Sequence, residues 1–246
     1  LMSHDIEIKE GAFVIGDAHY SHSRPQFLEF LKSIASHELK PTQIILMGDI
    51  FDALFGEIPH THKINKEAIE ILNKISLDIE VIYLEGNHDF NLKKIFPHAK
   101  VFPISLQPVT CMIEAKKVLL SHGDIESDAG YKIYTLFIRN SFVLSILRII
   151  DSFSGHSILT RLEQYLNKKD DCKELLGLET FISKRLDEKY RCDYFIEGHF
   201  HQNKIIKLKN FIYFNLGAFA CNQRYFIVKS AQDIEFLEEN IFSKGI

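Results

Sequence analysis

The amino-acid sequence predicts an α/β fold centred on a parallel sheet that is covered on both faces. Two observations lead there. Short apolar runs without polar alternation recur in the first hundred or so residues, as strands buried on both sides require. Between them, apolar residues fall at helical spacing, so strand, helix, strand, helix and strand follow one another.

In chain order, Ala12 to Ile15 is the first strand run and ends at Gly16. Phe27, Leu28, Phe30, Leu31 and Ile34 then mark a helix face behind Pro25, whose fixed φ suits a first turn. Ile44 to Met47 is the second strand run, closing at Gly48. Ala68, Ile69, Ile71, Leu72 and Ile75 give the next helix, and Val81 to Leu84 runs into Gly86 as the third strand. After Pro103 the pattern changes. Val109 to Ile113 and Val118 to Leu120 read as strands of a meander, with similar runs at 193–196, 204–208, 211–214 and 225–228. Between these groups, Glu126 to Arg191 is helical in pattern with no strand punctuation. The chain therefore reads as a single domain, 1–246, with a helical cap inserted at 126–191.

Composition bounds the function. Of 246 residues, 46% are apolar, with 20 Phe, enough for a sizeable core, and disordered or collagen-like classes are excluded. The net charge of −4 and the lack of a basic stripe argue against nucleic acid as a partner. An anionic substrate then needs local positive charge, from bound metal or from the insertion, whose residues 131–191 carry a formal +3. Cys111, Cys172, Cys192 and Cys221 show no CxxC spacing and read as unpaired thiols of a reducing compartment. The start of the sequence shows no secretion-signal pattern, and the apolar stretch Phe142 to Phe153, broken by Arg148 and Asp151, is too short to span a bilayer. The expectation is a cytoplasmic protein, with any membrane contact peripheral and made through the insertion.

Each strand run ends in a polar cluster: Gly16-Asp17-Ala18-His19, Gly48-Asp49-Ile50-Phe51-Asp52, Gly86-Asn87-His88-Asp89, Ser121-His122-Gly123-Asp124 and Gly198-His199-Phe200-His201. In open α/β sheets the functional crevice lies beyond the carboxyl ends of the strands, so the clusters converge on one rim. Asp17, His19, Asp49, Asn87, His122, His199 and His201 then form a mixed imidazole, carboxylate and amide set suited to borderline divalent metals. Seven donors exceed one tetrahedral ion and fit two ions sharing a bridging carboxylate.

This ordered series resembles the calcineurin-like metallophosphoesterases, from Gly16 to about Gly217. The resemblance implies a four-layer αββα sandwich and a dinuclear site. One ion would take Asp17, His19, Asp49 and His201, and the other Asp49, Asn87, His122 and His199. The ions would be Mn²⁺, with Fe²⁺ or Zn²⁺ as alternatives, and a metal-bridged hydroxide would attack phosphorus. His88 matches the family's catalytic histidine and Asp52 the carboxylate that orients it. Gly48 to Asp52, Phe55-Gly56-Glu57, Gly86 to Phe90 and the insertion after Asp124 are similar to the UDP-2,3-diacylglucosamine pyrophosphohydrolase branch of lipid A biosynthesis. That branch commonly carries Arg where this chain has His88. The implied substrate is a nucleotide-linked lipid; a soluble nucleotide or other ester is the alternative, and a non-catalytic scaffold ranks below both. Oligomeric state is left open.

Asp89 and Asp124 read as turn or supporting residues. His4, His22, His37, His60, His62, His98 and His156 lie outside the motifs. The helix from Phe142 to Phe153 is apolar nearly all round, as a packed cap helix or an acyl-chain groove would be. Arg139, Arg148, Arg161, Lys168 and Lys169 are available to an anionic group, although a solvated helix surface is the commoner explanation for such charges.

Overall fold

Period-two alternation along the apolar runs splits the core into layers. A computed structural model describes residues 6–125, 139–153, 161, 172–229 and 235–240. Its strands are β1 (Ile6–Glu7), β2 (Phe13–Ile15), β3 (Ile44–Leu46), β4 (Leu54–Phe55), β5 (Val81–Leu84), β6 (Asp89–Phe90), β7 (Lys100–Phe102), β8 (Val109–Ile113), β9 (Lys116–Ser121), β10 (Tyr194–Glu197), β11 (Lys204–Lys207), β12 (Ile212–Asn215), β13 (Arg224–Lys229) and β14 (Glu235–Asn240). The described helices are α1 (Gln26–Ala35), α2 (Pro59–Ile64), α3 (Lys66–Asp78), α4 (Ser141–Phe153), α5 (Leu178–Leu186) and α6 (Phe219–Asn222).

One six-stranded sheet runs β14-β13-β2-β3-β5-β7, and the other runs β1-β8-β9-β10-β12-β11. On the first sheet, Phe13, Ile15, Ile44, Leu46, Val81 and Tyr83 face α1 and α3. Their alternates Val14, Ile45, Met47, Ile82 and Leu84 meet Val118, Leu120, Tyr194 and Ile196 of the second sheet. On that sheet's outer face, Leu119, Phe195 and Tyr213 pack against Leu178, Ile182 and Leu186 of α5. The layers are therefore helix, sheet, sheet, helix, and each strand is apolar on both faces because both faces are covered.

Pro25 immediately precedes α1, and all five apolar residues expected on that helix's inner face are buried. The meander expected after Pro103 is present only in part. β8 with β9, β11 with β12 and β13 with β14 pair antiparallel, but β9, β10 and β12 run parallel to one another. The long connection from β9 to β10, which includes α5, supplies the crossover that parallel pairing needs. Of the expected cap, α4 and α5 are helical, whereas residues 126–138, 154–160 and 162–171 lie outside the described set. Within α4, Leu144 is buried with Ala53, Phe55, Ile58 and Phe90, but Phe142, Ile149 and Ile150 are half or more exposed. The expectation of four unpaired thiols is also corrected: Cys172 is disulfide-bonded to Cys221, with Cα atoms 5.7 Å apart, while Cys111 and Cys192 remain outside any disulfide. Forty-nine residues separate the two in sequence, and the chain leaving the insertion meets α6 only in the folded domain. No helix among the described residues is long and apolar enough to cross a membrane.

Candidate metal centre

Because β2, β3, β5, β9 and β10 end on the same rim, the five polar clusters meet there. Asp17 and His19 follow β2, Asp49 follows β3, Asn87 and His88 follow β5, His122 follows β9, and His199 and His201 follow β10. The two sheets are joined at this rim by Asp17, whose carboxylate accepts the backbone N–H of His199 at 3.0 Å. Five of the expected ligands adopt left-handed backbone: Asp17, His19, Asp49, His199 and His201 have φ between 45° and 59°. Asp and His tolerate this region better than bulky or branched residues, and such strain concentrates at functional sites.

The donor atoms form three groups among the described residues: Asp17 with His19 and His201, Asp49 with His122 and His199, and His19 with Asp52 and His88. His201 Nε2 lies 3.1 Å from Asp17 Oδ1, and His122 Nε2 lies 3.4 Å from Asp49 Oδ2. Asn87 Oδ1 and His199 Nδ1 are each 3.2 Å from His122 Nε2. His122 Nδ1 is 2.9 Å from the Met47 carbonyl. A carbonyl only accepts, so the proton sits on Nδ1 and Nε2 faces the cluster, the arrangement that metal-ligating histidines use. His19 is oriented similarly: Nδ1 bonds Asp52 Oδ1 at 3.1 Å, and Nε2 is buried with no partner among the described residues. An orphaned imidazole nitrogen beside two other donors is what a cation would satisfy, and the imidazole–carboxylate set fits divalent ions.

His88 stands at the edge of the cluster. Its backbone N–H donates to Asp49 Oδ1 at 2.8 Å, its Nδ1 donates to the Asp52 carbonyl oxygen at 3.0 Å, and its Nε2 is 4.0 Å from Asp49 Oδ2. The Asp52 carboxylate therefore reaches His19, and His88 is held by the Asp52 backbone. Asp89 organises the Asp49 loop, with Oδ1 accepting from Asp49 N and Gly86 N, and Oδ2 from Ile50 N, Phe51 N and the Tyr83 hydroxyl.

Glycines permit the close approach of these loops. A Cβ on Gly48, at φ +89°, would sit 2.6 Å from His122 Nδ1, and one on Gly86 would collide with Asp49 Oδ1.

The electrostatics follow from burial and proximity. Desolvation pushes Asp49 up, but the His122 and His88 rings override it and hold the carboxyl well below its ordinary range. Desolvation likewise opposes the charge on His122, yet Asp49 raises it well above the usual imidazole value. Burial together with the nearby His122 lowers His199 to about 4, which leaves its ring neutral. Burial and the Asp49 charge push Asp89 up to about 7.

Several supporting residues carry no sequence signal. Gln107 Oε1 accepts His122 N–H at 2.7 Å, and Arg185 donates to the Gly123 carbonyl and pairs with buried Glu197. Glu197 closing an otherwise apolar strand is the only hint, since a buried acid requires a partner. Of the cations considered for an anionic group, Arg139 is committed to Gly86 and Asp124, Arg148 and Arg161 are exposed, and Lys168 and Lys169 lie outside the described residues.

The chain is 23% identical to the UDP-2,3-diacylglucosamine hydrolase of Salmonella arizonae over 201 residues, 79% of this chain and 83% of that protein. Among solved structures it is similar to Yfce, a phosphoesterase from E. coli (15% identity, TM-score 0.44, 94% and 98% of the two chains), and to an archaeal phosphodiesterase (14%, 0.44, 93% and 98%). A calcineurin-like phosphoesterase profile matches residues 12–203, and the chain belongs to that family of metal-dependent phosphoester hydrolases.

Proposed function

We propose that this protein hydrolyses a phosphate ester or anhydride that joins a nucleotide to a lipid, of the UDP-2,3-diacylglucosamine kind, as a cap-bearing dinuclear enzyme. The observation that carries the reading is the pair of donor groups Asp17/His19/His201 and Asp49/His122/His199, with His88 Nε2 4.0 Å from Asp49 Oδ2. Asp17, His19, Asp49 and His201 hold one cation, and Asp49, Asn87, His122 and His199 the other. Bound there, two divalent ions supply Lewis-acid charge to the phosphoryl oxygens and make an attacking water more acidic. The mixed donor set favours Mn²⁺ as the first ion to test.

The chain's own residues do the rest. The His88 ring is fixed through Nδ1–H on the Asp52 carbonyl, so Nε2 is the nitrogen left to face the leaving oxygen, and it gives up a proton there from the doubly protonated ring. Asp52 orients His19, and Asp89 holds the amides of residues 49–51 so that Asp49 faces the cluster. The lipid assignment is supported by the similarity to UDP-2,3-diacylglucosamine hydrolases and by the exposed apolar side chains of α4, whose Leu144 packs on Phe55 and Phe90 beside the site.

Purified protein with Mn²⁺ should release UMP from UDP-2,3-diacylglucosamine and cleave bis-p-nitrophenyl phosphate. Asp49→Ala and His122→Ala should abolish both, and full activity in either variant refutes the mechanism. His88 favours one second reading, a soluble nucleotide or diester substrate, because the lipid-A branch commonly carries Arg there. Turnover of soluble diesters without turnover of the nucleotide lipid, and without binding to acyl-bearing vesicles, selects that reading.

A further inference from the structure

The insertion leaves and re-enters the body at two arginines, and both hold the same ligand-bearing loop. At the entry, Arg139 Nη2 donates to the Gly86 carbonyl at 2.9 Å and to Asp124 Oδ2 at 3.0 Å, and the guanidinium lies over the Phe90 ring at 5.6 Å. Its side chain is only 10% exposed. The Arg139 carbonyl accepts from Asn91 Nδ2 at 3.1 Å, and Ser141 Oγ donates to Glu57 Oε1 at 2.6 Å. At the exit, Arg185 on α5 donates from Nη1 to the Gly123 carbonyl at 2.6 Å and from Nη2 to Glu197, which also accepts from the Tyr213 hydroxyl. Its guanidinium lies 5.0 Å from the ring centre of Phe200, between His199 and His201.

The contacts fall unevenly on the metal centre. Gly86 precedes Asn87, Gly123 and Asp124 follow His122, and Glu197 lies two residues before His199. None of the hydrogen bonds given above reaches the loop of Asp17 and His19. Arg185 forks, with Nη1 on one acceptor and Nη2 on another, which a flexible point charge reproduces poorly, whereas Arg139 makes both of its contacts from Nη2. The apolar anchorage of α4 is slight by comparison, since Leu144 is its one buried apolar side chain among the described residues.

We propose that Arg139 and Arg185 are positioning residues for the Asn87/His122/His199 half of the centre, and that through them occupancy of that half and the protection of residues 139–153 and 178–186 are linked. The proposal rests on the reading of that half as a cation site. An ion that fixes residues 122–124 fixes the acceptors on which both arginines seat. By reciprocity, whatever protects those segments, substrate included, tightens that ion by the same factor.

Amide hydrogen exchange of the full-length wild-type protein, with Mn²⁺ and after chelation, tests this without a variant. Residues 139–153 and 178–186 should exchange more slowly with Mn²⁺ bound. In Arg139→Gln, one of the two Mn²⁺ ions should bind about tenfold more weakly, as loss of a residue supporting a metal ligand typically causes, while the other binds as in wild type. The Mn²⁺-dependent protection of 139–153 should shrink in parallel, and Arg185→Lys should behave the same way. Exchange in these segments that is identical with two bound ions and with none overturns the proposal, as does wild-type binding of both ions by Arg139→Gln. Turnover is measured separately: a wild-type protein that binds two ions and shows the linked protection but hydrolyses no phosphoester refutes the proposed function and leaves the linkage standing.

Discussion

Asp52 Oδ1 accepts a 3.1 Å hydrogen bond from Nδ1 of His19, and this pair ties the carboxylate to the Asp17/His19/His201 group. His88 Nδ1 bonds the backbone carbonyl of the same residue at 3.0 Å. One residue thus serves two histidines through different atoms, and the consequences of replacing it differ from those of losing a proton-relay partner.

Asp52→Ala should weaken binding of one Mn²⁺ ion by about 10- to 100-fold. At saturating Mn²⁺ most of the wild-type kcat should return, because the Asp52 carbonyl that holds His88 survives the substitution. Metal titration by calorimetry alongside kinetics checks this. Unchanged affinity with a lost kcat would assign the carboxylate to His88 instead.

Gly86→Ala should abolish two-ion binding. The added methyl points into Asp49 Oδ1 and lies 2.5 Å from the Asp49 backbone nitrogen, so the shared carboxylate must move. Elemental analysis should find fewer than two ions per chain, with turnover lost. A fully loaded, active variant would show that the loops separate more easily than the packing implies.

Metal binding should release a proton and strengthen as pH rises. In the metal-free protein Asp49 raises His122 well above the usual imidazole value, so near neutral pH the ring carries a proton that an incoming cation must displace. The sign follows: acid favours the protonated, metal-free form, and affinity climbs until the pH passes the raised value. Calorimetry of Mn²⁺ binding in buffers of different ionisation enthalpy should detect about one proton released with the ion that the His122 group takes. Zero release would contradict the assignment of His122 as a ligand.

Glu80 gives a stability prediction away from the site. Its own desolvation opposes the charge, but Lys100, Lys9 and Gln43 together lower it from 4.5 to about 2. A lowered folded value stabilises above the unfolded one, so the contribution is complete above 4.5 and fades as pH falls towards 2. After allowance for solvent screening, Glu80→Gln should cost about 1 kcal/mol near neutral pH. Urea denaturation should show the gap between variant and wild type closing through that acid window.

By itself the sequence determined the strands β2, β3 and β5, the helices α1 and α3, and the residue types at each strand end. Those features are local: apolar period, turn glycines and the identity of a side chain are all written within a few positions. Everything that depends on which distant segments touch was decided by the tertiary structure. The β9–β10–β12 parallel pairing needed the crossover through the insertion, and Cys172 meets Cys221 only because the chain leaving the insertion returns to α6. The same holds at the metal centre. The Asp-x-His and Gly-Asp-x-x-Asp motifs named Asp52 and His19, but only packing of the two loops shows that the carboxylate faces His19 and the carbonyl faces His88. The roles of Arg139 and Arg185 were hidden for the same reason, since their acceptors, Gly86, Gly123, Asp124 and Glu197, lie 12 to 62 residues away in the chain.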